Sequence, residues 1–314
     1  MPTFNRRRFL TISAAAAGAV GAGAFAGRAL QAQPLYRWEG VALGAGASIT
    51  LAHPQAEQIV GRALAEIARL EGVFSLYRAD SALTALNTAG SLESPPFELL
   101  QCLTLCGAVH TATQGRFDPT VQPLWRLYAD NYEAGGAPTP QAVAAARALV
   151  GWGDVRVSAE RIAFARPGMA LTLNGVAQGY IADRVAALLT AEGLTDVLVD
   201  TGEMRALGGH PDGGAWPVAL DVAGTILPGA VPLREMALAS SAPRGTTFDE
   251  AGTQGHILNP ATGAPSAQPW QLVSVTAPQA ALADALSSAF CLMSRDEIVA
   301  TLAAFPTARL VWLG

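Results

Sequence analysis

Asp284 is the only charged residue in the apolar stretch from Ala280 to Phe290, and Ser288 follows it by four positions. In a helix that spacing puts both side chains on one face. A buried carboxylate is costly without a partner. A carboxylate beside a hydroxyl makes part of the oxygen shell of Mg2+, which takes few protein ligands and fills the rest with water and phosphate. The same residues also suit a carboxylate that settles an N-terminal helix turn, and the segment alone leaves both readings open. A second segment, Leu171 to Tyr180, reads as a strand, a tight turn and a helix start around Asn174-Gly175. Gly175 and Gly179 permit close backbone approach, and the first N–H groups of a helix suit an anion. It is equally an ordinary strand–helix connection. In a third segment, His256 precedes a turn punctuated by Asn259-Pro260 and Thr262-Gly263. That histidine is either a base or a structural residue.

Regular elements must carry these three segments. Gln55–Phe74 has Ile59, Ala63, Ile67 and Leu70 at helical spacing. Helices are also expected over Pro95–Gln114, Pro140–Leu149, Ala177–Glu192, Ala280–Met293 and Asp296–Ala304. Strands are expected over Val41–Leu51, Ala170–Leu173, Asp196–Asp200, Trp216–Val222, Met236–Ser240, Leu272–Thr276 and Ala308–Leu313, with a hairpin at Val155–Val157 and Arg161–Phe164. Strands and helices intermix without strict βαβ alternation, which predicts an α+β fold of mixed or antiparallel sheets with packed helices.

The 314 residues are 51% hydrophobic and 14% charged, which excludes intrinsic disorder. All 20 basic residues are arginine, against 25 acidic ones, so a nucleic-acid partner is not expected. Residues 1–32 stand apart. Arg6-Arg7-Arg8-Phe9-Leu10 precedes an uncharged Ala/Gly run, the layout of a twin-arginine export signal. Cleavage is expected after Ala26 or Ala32, leaving residues 33–314 as one periplasmic domain without stable membrane insertion. That portion keeps 16 basic and 25 acidic residues, a formal charge of −9. Cys102, Cys106 and Cys291 are odd in number and lack a zinc pattern, so they read as buried small hydrophobes.

Six ordered blocks together resemble the ApbE family of flavin transferases, over residues 40–313. They are Phe74 to Asn87, Phe117 to Val121, Asn174 to Asp183, Gly202 to Gly208, His256 to Gly263, and Ala283 to Ser288. Some positions depart from the family pattern. Gln178 stands at the usual lysine, Asn174 at a glycine, Ser288 at the metal-binding threonine and Asn259 at an aspartate. Ser241-Ala242-Pro243 replaces a Ser-Gly stretch. These departures resemble the NosX-like branch found beside nitrous oxide reductase.

The resemblance implies an ApbE-like, T-fold-related architecture and an FAD:protein FMN transferase. Such an enzyme moves the FMN part of FAD onto a Thr or Ser hydroxyl of a flavoprotein and releases AMP. It implies Mg2+ held by Asp284, Ser288 and the Gly175 carbonyl, and His256 as base toward the acceptor. It implies Tyr77 against the flavin, with Asp118, Thr120, Asn174, Gln178, Glu203 and Ser241 lining the FAD cleft. The implied partner is an exported or membrane-anchored flavoprotein, in the NosX-like case the membrane flavoprotein of nitrous oxide respiration. A pyrophosphatase making FMN and AMP, and a non-catalytic periplasmic flavin carrier, share the same motifs.

Overall fold

The computed structural model describes residues 34–42 and 45–314, so the expected export signal lies outside the described residues. β1 (Tyr36–Ala42) and β2 (Ala45–Leu51) pair in antiparallel fashion, and helices α1 (Ala56–Phe74) and α2 (Ala82–Ala89) follow. The short strand β3 (Ser91–Glu93) leads to α3 (Phe97–Ala112), α4 (Gln122–Glu133) and α5 (Pro140–Arg147). β4 (Val155–Val157) and β5 (Arg161–Phe164) form the expected hairpin, which β3 joins as a third strand. Then come α6 (Ala177–Ala191), β6 (Val197–Asp200) and β7 (Met204–Leu207). Two short ribbons follow: β8 (Trp216–Val218) with β11 (Val231–Leu233), and β9 (Asp221–Val222) with β10 (Thr225–Ile226). The remaining elements are β12 (Ala237–Ser241), β13 (Val273–Ala277), α7 (Ala280–Phe290), α8 (Arg295–Leu302) and β14 (Arg309–Leu313).

The main sheet has the order β1-β2-β6-β7-β12-β13-β14, antiparallel throughout. This is the α+β architecture that the element pattern predicts. Alternation along the strands sends side chains to two cores. Val197 and Val199 of β6, with Ala237 and Ala239 of β12, join the helices in the larger core. Leu198 and Leu238 join Trp216 and Leu233 on the opposite face, under the short ribbons. Helix α1 buries Ile59, Ala63, Ile67 and Leu70, the stripe expected from spacing. Cys102, Cys106 and Cys291 are unpaired and buried in the larger core.

Helix α7 is buried along its length because its side chains are small and apolar except at Asp284, Ser287 and Ser288. It lies against β12, β13 and α6. Its junction with α6 is close: a Cβ at Gly179 would lie 2.3 Å from the Ala280 carbonyl oxygen. Two carboxylates tie the helices reciprocally. Asp183 of α6 accepts from the N–H groups of Ala280 and Ala281 at 2.8 and 3.0 Å, at the start of α7. Asp284 of α7 accepts from the Gly179 N–H at 3.2 Å, in the first turn of α6. Each helix thus supplies a carboxyl oxygen to the N–H groups at the other's N-terminus.

Three expectations about elements change. Trp216–Val222 is not one strand, because β8 ends at Val218 and β9, which begins at Asp221, pairs in a different ribbon. Val41–Leu51 is not one strand, because β1 ends at Ala42 and β2 begins at Ala45. Ala170–Leu173 joins no sheet. Ala170, Leu171 and Leu173 are buried, but a side chain takes the place of a neighbouring strand. Asn87 donates to the Leu171 carbonyl at 2.8 Å and accepts its N–H at 2.7 Å.

Candidate functional site

The three sequence segments converge on one cleft of about 1010 Å³. Its floor is the α6–α7 junction. A Cβ at Gly175 would lie 2.9 Å from the Ser288 hydroxyl, so only glycine leaves room there for both backbone and hydroxyl. Ser288 lies 3.2 Å from the Ser241 hydroxyl, which is 2.7 Å from that of Ser287. Ser287 in turn donates to the Asp284 carbonyl at 3.0 Å. This ladder of hydroxyls fixes the α7 side of the cleft.

The floor is rich in buried carboxyl groups. Burial first, and then the Asp183 charge, push the Asp284 carboxyl up to about 8, against the pull of the Gly179 N–H. Glu203 is raised well above its ordinary value by burial, then by the charges of Asp284 and Asp200. Among the described residues no arginine pairs with Asp284 or Glu203, while Asp183 has Arg205 at 3.4 Å. Glu203 accepts from the Ser240 N–H at 3.3 Å. Buried carboxyls with no cationic partner among the described residues, lining the same cleft as the Ser288 hydroxyl and the Gly175 backbone, make an oxygen-rich surface suited to a hard cation.

The walls come from other elements. His256 sits on a loop that the third core, Leu124, Tyr128, Phe248 and Leu258, packs against α4. Its Nδ1 is 3.0 Å from the Thr246 carbonyl, which can only accept, so Nδ1 carries the proton and Nε2 is left as the basic nitrogen. Burial lowers the pKa of His256 below its ordinary value, so the ring is neutral at pH 7. Tyr77, 56% exposed, stands at the rim. Its loop is held by the Ser75 hydroxyl, which accepts from the N–H groups of Tyr77 and Arg78 at 3.1 and 3.2 Å. Asp118 also lines the cleft, and its Oδ1 accepts from the N–H and hydroxyl of Thr120 at 2.8 and 2.5 Å.

The ApbE family model matches residues 43–311. The chain belongs to the ApbE family. It is 32% identical over 259 residues to an FAD:protein FMN transferase of Treponema pallidum, covering 75% of this chain and 71% of that protein. Its fold is similar to that of a flavin transferase ApbE from Vibrio cholerae, with TM-score 0.76, 22% identity, and coverage of 88% and 94%. It is also similar to an ApbE protein from Thermotoga maritima, with TM-score 0.79, 25% identity, and coverage of 89% and 94%.

In this ApbE family member, the residues expected at the site mostly face one space. Tyr77, Asp118, Asn174, Gly175, Gln178, Glu203, Ser241, His256, Asp284 and Ser288 all line the cleft. Thr120 does not. It is fully buried behind Asp118, and its hydroxyl is used up by Asp118 and by the Gly151 N–H at 2.7 Å. It therefore orients the wall rather than forming it. Gln178 stands where a Cβ on Gly202 would meet its Nε2 at 2.8 Å, so the 202 position must stay a glycine in a left-handed turn (φ +100°). The sequence reading also missed Arg78, Arg116 and Trp125, which line the cleft. Arg116 directly precedes the Phe117-Asp118 block, and that adjacency was the available signal.

Proposed function

We propose that this protein is an Mg2+-dependent FAD:protein FMN transferase that acts on a Thr or Ser hydroxyl of an exported or membrane-anchored flavoprotein and releases AMP. The carrying observation is that Asp284, one helical turn before Ser288, and the Ser288 hydroxyl, set against the Gly175 backbone, line the same cleft as His256. Family membership and the Treponema pallidum relative support the reaction class. The twin-arginine pattern of residues 6–10 supports a periplasmic location.

Asp284, Ser288 and the Gly175 carbonyl would hold Mg2+, which when bound neutralises charge on the diphosphate oxygens. The acceptor hydroxyl oxygen forms a bond to the FMN-side phosphorus, the phosphoanhydride bond breaks, and AMP departs with the bridging oxygen. Positioning dominates such chemistry. His256 Nε2 accepts the hydroxyl proton, with the ring held in the right tautomer by the Thr246 carbonyl. Asp118, fixed by Thr120, and Glu203, fixed by the Ser240 N–H, shape the space around the dinucleotide. Tyr77 offers its ring to the flavin at the rim.

The test incubates the protein with FAD, Mg2+ and a purified periplasmic flavoprotein domain, followed by intact-mass measurement and AMP assay. An FMN adduct with equimolar AMP is expected. FMN and AMP without adduct make the protein a pyrophosphatase, and FAD binding without AMP makes it a carrier; either result overturns the proposal.

A further inference from the structure

Arginine and lysine side chains commonly engage the phosphates of a ligand, and the chain contains no lysine. Two arginines line the cleft, Arg78 and Arg116. Arg78 is occupied: its Nε and Nη2 are bound by the two carboxylate oxygens of Asp80, at 3.1 and 2.8 Å. Arg116 is held differently. Its Nη2 donates to Glu297 Oε1 at 2.9 Å, while its Nε and Nη1 have no partner among the described residues. Glu297 is itself anchored, because its Oε2 accepts from the Ser294 N–H at 2.7 Å in the capping box of α8. A braced guanidinium with donors to spare suits a phosphate oxygen.

Its placement fits as well. The next residue, Phe117, puts its ring 3.7 Å from where a Gly175 Cβ would be, so the 116–118 segment borders the glycine–serine corner. The side chain at position 178 is a neutral amide. We propose that Arg116 is the substrate-binding cation of this cleft, engaging the phosphates of the dinucleotide from the wall facing the glycine turn, with Glu297 as its positioning residue. This rests on the flavin-transferase reading above.

Riboflavin carries the same ring system without phosphate, so it separates a phosphate contact from a general packing effect. Fluorescence titration in Mg2+ buffer would compare FAD and riboflavin on the wild-type protein, Arg116→Gln and Arg116→Lys. For Arg116→Gln the FAD dissociation constant is expected to rise about tenfold, as for loss of a charge-assisted contact, with riboflavin changed less than about twofold. Arg116→Lys, which keeps the charge, is expected to recover part of the loss and guards against a misfolded glutamine variant. Glu297→Gln should weaken FAD more than riboflavin, by less than Arg116→Gln does. Unchanged FAD affinity in Arg116→Gln, or equal weakening of both flavins, overturns this inference while leaving the transferase reading standing. A wild-type protein that binds neither flavin overturns both.

Discussion

Asp284 is a buried carboxyl at the cleft floor, and its titration has a measurable sign. Its folded-state pKa, about 8, is raised from an ordinary 3.8. The folded protein therefore holds a proton there that the unfolded chain releases, and stability falls as pH rises through that window. Compared with Asp284→Asn in metal-free buffer, the wild-type protein is expected to lose thermal stability steadily between pH 4 and pH 8. A pH-independent difference between the two melting midpoints would contradict this assignment. The same substitution is expected to abolish Mg2+-dependent transfer, measured by AMP release. His256 acts in the other direction: burial lowers its pKa, so the neutral base persists below pH 6.5. At saturating Mg2+ the acidic limb of kcat should lie below that value, and His256→Ala should cut kcat far more than it weakens FAD binding. These two residues were legible from spacing and block order. Thr120 was assigned to the wrong layer, because a sequence shows that a hydroxyl is present but not that a neighbouring carboxylate has claimed it.

Among the elements, the α6–α7 junction is closely packed. Gly179→Ala would drive a methyl to 2.3 Å from the Ala280 carbonyl oxygen, so the helices must separate. Overpacking of this kind costs about 1–3 kcal/mol, and urea denaturation should report at least that loss. Asp183→Ala removes a carboxylate that two backbone N–H groups depend on at the start of α7. The expected cost is about 1–2 kcal/mol, with a parallel drop in Mg2+ affinity because the far helix positions Asp284. Helix α1 was readable because its stripe is regular, and α6 because a glycine turn opens it. The strand expected at Ala170–Leu173 failed for a physical reason. An apolar run reports that a segment is buried, not that it pairs, and Asn87 satisfies the Leu171 backbone without any partner strand. The hairpin β1–β2 was hidden because Ala and Gly around its reversal carry little pattern.

For the whole molecule, the cleft is assembled from segments spread over most of the chain: the loop after α1, the turn before α6, β12, the His256 loop and α7. Ligands that bridge those segments should stabilise the fold by mass action, about 2.7 kcal/mol at a hundredfold excess over the dissociation constant. FAD and Mg2+ together are expected to raise the melting midpoint by more than the sum of each alone, since each neutralises or orients what the other meets. Simple additivity in differential scanning fluorimetry would argue against a shared corner. The α+β class was visible from the intermixed elements, but the strand order was not. Which edge pairs with which depends on contacts between residues far apart in the chain, and no local pattern encodes them.

The mutual capping of α6 and α7 joins residues 105 positions apart. On the ribosome, the earlier helix emerges long before the carboxylate that completes it. The α6–α7 corner of the cleft is therefore finished only near the end of synthesis, and a polypeptide released before Ala280 lacks the helix that covers β12 and β13.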